Sequence, residues 1–163
     1  MEQLLLFAEC ATETPVTPAA RMNYSCELIL RQPCVREACG PQIKCAQDVA
    51  NLFSDAKCLA KEAFFVATLD QKNRLIDRHA VSIGTLTGAL VHPREALWPA
   101  LADNAAAVAY VHNHPSGDVT PSRDDREITA RLLEAGKLLG FRTLDHVIIG
   151  RDQHFSFCEE GWL

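Results

Sequence analysis

What this sequence lacks narrows it before any motif is read. It has no Cys-x-x-Cys pair, although it contains seven cysteines: Cys10, Cys26, Cys34, Cys39, Cys45, Cys58 and Cys158. An odd count leaves one thiol over from a complete disulfide framework, and the spacing of Cys34, Cys39 and Cys45 does not suit a zinc knuckle. The cysteines therefore read as reduced thiols serving as small core hydrophobes in a cytosolic protein. No apolar run approaches the ~20 residues a membrane helix needs. The short apolar stretch at 4–8 has no basic leader of the kind a signal peptide carries. The expectation is a cytoplasmic protein with no membrane partner. Positive charge is also short: 16 Lys and Arg against 21 Asp and Glu give a formal net charge of −5. That balance gives no general support for a DNA-coating role, which relies on clustered basic residues. Internal repeats and low-complexity tracts are missing too.

What is present is an ordinary globular composition, 48% hydrophobic and 23% charged over 163 residues, enough for one domain with a proper core. Residues 1–40 read as an N-terminal tail, rich in Thr, Pro and Ala over 9–23, with one short strand at 24–32. Residues 41–163 read as the folded domain. Helical spacing of Val49, Leu52, Phe53, Ala56 and Leu59 predicts a helix over 45–60. The apolar run 63–70, the turn residues 71–73 and the run 74–84 predict a hairpin. Pro93 opens a helix through about Asp103, and 105–114 is a buried strand ending in polar residues. A helix over about 123–139 stops at Gly140, followed by strands at 142–150 and 154–158. Interleaved strands and helices make the class α/β or α+β around one sheet.

The chemistry lies in one stretch, His112-Asn113-His114-Pro115-Ser116-Gly117-Asp118-Val119-Thr120-Pro121-Ser122-Arg123-Asp124-Asp125. Residues two apart in a strand point the same way, so His112 and His114 project together from the end of the buried strand. Asp125 falls in the first turn of the next helix, where its carboxylate can turn back toward both imidazoles. Two His and one carboxylate, with a fourth position open to water, form a catalytic zinc set, and zinc lowers the pKa of bound water from about 16 to about 7. Ser122-x-x-Asp125 also fits a plain helix cap worth ~1 kcal/mol. The cap explains Ser122 and Asp125, but not two histidines on one face at the mouth of an apolar strand. The string His-Asn-His is not an HNH nuclease, whose residues are dispersed over a ββα unit. The His-x-Glu and Pro-Cys-x-x-Cys elements of a zinc nucleobase deaminase are missing.

The spacing His112-x-His114, seven residues, Ser122, two residues, Asp125 resembles the JAMM metalloprotease signature of the MPN (JAB) domain. With VHPRE at 91–95 and LDHVIIG at 144–150, the chain resembles the RadC family over roughly residues 45–158. The resemblance implies a single domain with a curved mixed β-sheet flanked by helices, of cytidine deaminase-like architecture. It implies a Zn2+ ion on His112, His114 and Asp125, Ser122 as oxyanion donor and a remote glutamate as general base. The base corresponds to Glu62, just before the strand ending Leu69-Asp70. Glu95 is the rival, though it also suits the acidic first turn of a helix. The implied activity is hydrolysis of peptide or isopeptide bonds in a protein substrate by zinc-activated water. The other reading is a DNA-repair or mobile-element accessory protein with a structural or vestigial zinc site. The helix-hairpin-helix region of full-length RadC-like proteins is not legible in the first 45 residues. Asp145 and His146 read as flanking a core strand rather than backing the ligands, and His79 and His154 as exposed histidines.

Overall fold

Seven successive residues, Ala107–Asn113, form a strand that is buried along its whole length, at the centre of the described sheet. In the computed structural model, which describes residues 37–84 and 91–163, this is the third of five strands. The elements run α1 (Ala46–Leu52), a 3-10 turn (Ser54–Cys58), β1 (Ala63–Leu69), β2 (Leu75–Ile83), α2 (Pro93–Ala102), β3 (Ala107–Asn113), α3 (Arg123–Leu138), β4 (Arg142–Ile149) and β5 (His154–Ser156). The expected strand at 24–32 lies outside the described residues.

The sheet order is β2-β1-β3-β4-β5. β1 is antiparallel to both β2 and β3, β3 runs parallel to β4 through the α3 crossover, and β5 is antiparallel to β4. The sheet is therefore mixed, as the family resemblance implied. The inner strands β1 and β3 are near-continuous apolar runs because helices cover both their faces. On one face, Val49 and Phe53 pack with Ala67, Leu69, Ala109, Val111, Val147 and Ile149. On the other, Leu97 of α2 and Leu132 of α3 pack with Phe64, Val66, Val108 and Tyr110. Strand alternation thus sends even-numbered β3 residues toward α2 and α3, and His112 with them.

The helix expected over 45–60 is broken. α1 ends at Leu52 because Phe53 leaves the helical basin (φ −110°, ψ 31°), and the chain continues as a 3-10 turn. The cysteines also correct an expectation: Cys39, Cys45, Cys58 and Cys158 are free but exposed, not core residues. Cys10, Cys26 and Cys34 lie outside the described residues. Among the described residues no helix is long and apolar enough to cross a membrane.

Candidate metal centre

Three elements deliver the site. β3 ends at Asn113, so His112 sits in its last pleat and His114 just beyond it. The His114 N–H still donates to the Ile149 carbonyl of β4 at 2.9 Å, keeping the strand's direction. A loop then crosses back over the strand ends, with Gly117 at φ +86°, a conformation that favours glycine. It runs so close to β4 that a Cβ on Gly150 would lie 2.7 Å from the Gly117 carbonyl oxygen. The loop ends at Ser122, the N-cap of α3. Its hydroxyl accepts the Asp125 N–H at 3.1 Å, and the Asp125 carboxylate accepts the Ser122 N–H at 2.7 Å. This capping box fixes the Asp125 side chain against the strand ends.

Glu62 arrives from the third element. β1 is antiparallel to β3, with Phe64 opposite His112, so the start of β1 lies beside the end of β3. One ligand atom from each of Glu62, His112, His114 and Asp125 falls within 4.8 Å of all the others. His112 Nε2 lies 3.0 Å from His114 Nε2 and 3.1 Å from Asp125 Oδ1, and His114 Nε2 is 3.6 Å from Asp125 Oδ2. Glu95 stands apart: it is exposed in the first turn of α2 and paired with Arg94 at 3.1 Å.

The protons at this cluster can be partly assigned. His114 Nδ1 lies 2.6 Å from the Asp118 carbonyl. A carbonyl only accepts, so Nδ1 carries a hydrogen, and in the neutral ring Nε2 is a bare lone pair. That lone pair and the carboxylate of Asp125 converge on one point, which calls for a cation there. Without a metal the cation is a proton: the hydrogen bond to Asp125 raises the His114 pKa, against burial. Burial works to raise the Asp125 pKa, but the bonds from His112, His114 and Ser122 outweigh it and hold the carboxyl well below the usual range. Two imidazole nitrogens and a carboxylate, gathered around a shared point, fit a divalent zinc-like ion.

Ser122 is placed beside the cluster, but its hydroxyl proton is engaged, donating to Asp125 Oδ2 at 2.6 Å. Asn113, between the histidines, is 1% exposed. Its Oδ1 accepts from the Ala63 N–H and its Nδ2 donates to the Lys61 carbonyl, on either side of Glu62. Sequence reasoning passed over this residue.

Three histidine readings are corrected. His146, taken for a strand flanker, is fully buried and lies 2.9 Å from His112 Nδ1 through its Nε2. Burial pushes its pKa well down. The parallel register, Tyr110 opposite His146, brings it to the same face as His112. No local pattern reveals a pairing between strands so far apart in sequence. His79, taken for exposed, is bonded to the buried Asp103 at 2.6 Å, and Asp103 also accepts from Thr68. His154 is half-buried in β5. Asp145 serves the fold: its carboxylate accepts from Ser156, the His146 N–H and the Cys158 N–H.

A family model described as a RadC-like JAB domain matches residues 43–162. The chain belongs to the RadC family. Its RadC relatives include the UPF0758 protein of Trichlorobacter lovleyi, 54% identical over 103 residues, which is 63% of this chain and 45% of that protein. The UPF0758 protein of Caldanaerobacter subterraneus is 48% identical over 117 residues, 71% of this chain and 50% of the relative. That of Rubrobacter xylanophilus is 45% identical over 138 residues, 84% and 60% respectively. The chain spans about half the length of these RadC relatives.

Proposed function

We propose that this RadC domain is a zinc-dependent hydrolase of peptide or isopeptide bonds. The observation that carries the reading is the meeting of Glu62 with His112, His114 and Asp125 at one point, the Nε2 atoms of the two histidines 3.0 Å apart. His112, His114 and Asp125 hold the metal in this reading, which leaves Glu62 free beside it. Zinc, when bound, supplies Lewis acidity toward a water and toward a carbonyl. Glu62 accepts a proton from the attacking water and returns it to the leaving amine. Ser122, after turning its hydroxyl away from Asp125, donates to the oxygen on which negative charge develops. A peptide or protein is the substrate class that the JAMM resemblance of the His112-x-His114…Ser122-x-x-Asp125 spacing implies.

The test is metal content with activity alongside it. Elemental analysis of purified protein should give about one zinc per chain, and His114→Ala should lose it. Cys45→Ser, Cys58→Ser and Cys158→Ser should leave it in place. Full metal retention in His114→Ala would remove the basis of the proposal.

A further inference from the structure

Behind the ligands runs a chain of hydrogen bonds whose direction can be worked out from one end. Thr129 lies one turn beyond Asp125 on α3, and its hydroxyl donates to the Asp125 carbonyl at 2.5 Å. A carbonyl can only accept, so the one hydroxyl proton of Thr129 is committed there. The lone pairs of Thr129 Oγ1 must then accept, and what faces them, at 2.6 Å, is His146 Nδ1. His146 therefore carries hydrogen on Nδ1. Its ring is enclosed by Phe64, Tyr110 and Phe157, with centroids 5.4, 6.2 and 4.9 Å away, an environment that disfavours a charged imidazolium. A neutral ring with hydrogen on Nδ1 has a bare Nε2. That Nε2 lies 2.9 Å from His112 Nδ1, and only a hydrogen on His112 Nδ1 can make the contact favourable.

We infer that His146, oriented by Thr129, is a positioning residue that fixes a hydrogen on His112 Nδ1, so that Nε2, the nitrogen facing His114 and Asp125, is the one left to meet a metal. The slot itself does not call for a polar residue. Three aromatic neighbours would accommodate a phenyl ring equally well, and both nitrogens of His146 are used only toward Thr129 and His112. Outer partners of this kind fix the ring and tautomer of a ligand histidine. Its purpose, though not its geometry, rests on the zinc reading above.

The test uses metal-free protein first. Two-bond proton–nitrogen correlation spectra of the 15N-labelled chain near pH 8 should show hydrogen on His112 Nδ1. His146→Phe should remove that hydrogen in whole or in part. Zinc affinity, measured by chelator competition, should fall roughly 10- to 100-fold in His146→Phe. Thr129→Val, which keeps the side-chain shape, should shift both readouts in the same direction, and Thr129→Ser should restore them. If His146→Phe does not fold, the wild-type spectrum and the Thr129 pair decide. A wild-type His112 without hydrogen on Nδ1, or a zinc affinity unchanged within about twofold in the folded variants, overturns the inference. A wild-type chain that binds no zinc overturns the zinc reading instead, while the spectra still judge the tautomer.

Discussion

Asn113 Oδ1 accepts the backbone N–H of Ala63 at 2.9 Å, across fifty residues of sequence. With Nδ2 donating to the Lys61 carbonyl at 3.1 Å, the residue between His112 and His114 grips the backbone that carries Glu62. Asn113→Leu leaves a buried donor and an acceptor without partners, which should cost about 1–3 kcal/mol in urea unfolding. Zinc content should stay near one per chain, because His112, His114 and Asp125 are untouched. Turnover should drop with Glu62 displaced. An Asn113→Leu protein with wild-type stability would show that the grip contributes nothing.

Glu62→Gln keeps size and polarity but cannot accept a proton. Normal folding and zinc content are expected, with hydrolysis of a peptide or isopeptide substrate reduced at least about 10²-fold. Glu95→Gln, exposed on α2, should change activity little and weaken the helix start by a few tenths of a kcal/mol at most. Reversed outcomes would move the base to Glu95.

Ser122 has two tasks in the structure, capping α3 and donating to Asp125 Oδ2. Ser122→Ala should lose ~1 kcal/mol of stability from the cap and about tenfold in zinc affinity from the lost donor on a ligand. If the hydroxyl also serves the oxyanion, turnover at saturating zinc falls by roughly 10² to 10³. A loss of only a few-fold at saturating zinc rules that third role out.

The metal-free protein should have a stability maximum in mildly acidic solution. Asp125 has a depressed pKa, so its contribution is present above the ordinary value of 3.8 and disappears as pH falls through the folded value. His114 has a raised pKa, chiefly through Asp125, so its contribution is full below 6.5 and disappears as pH rises through the folded value. Melting temperature without metal should therefore fall from about pH 6 to about pH 8, and His114→Ala should flatten that slope. Zinc affinity should rise over the same interval, since ligands must be unprotonated to bind. A metal-free melting temperature that climbs toward the alkaline end contradicts the His114 assignment.

The elements that carry strong periodicity were legible. β1, β3 and α3 lie within a residue or two of their expected bounds, because a buried run or an amphipathic helix writes its burial directly into the chain. The clustering of the candidate residues was legible for a related reason: a strand end, a tight loop and a helix start keep His112, His114, Ser122 and Asp125 within fourteen positions. His146 and Asn113 were not legible. Each acts across a strand register, Tyr110 against His146 and Phe64 against His112, that no local pattern encodes. His79 was misread because its partner Asp103 caps a helix in another part of the chain.

The short span of the ligands and the distant origin of Glu62 separate two events in the life of the molecule. Closing a short segment around an ion costs little chain entropy, so the β3–α3 unit can capture metal as soon as it forms. Glu62 precedes His112 by fifty positions and reaches the site only when β1 zips onto β3. On the zinc reading, metal capture is expected to be an early, local step of maturation, and competence for chemistry a later, long-range one. Lesions that loosen the β1–β2 hairpin should yield a charged but inert protein, loaded with metal and waiting for its base.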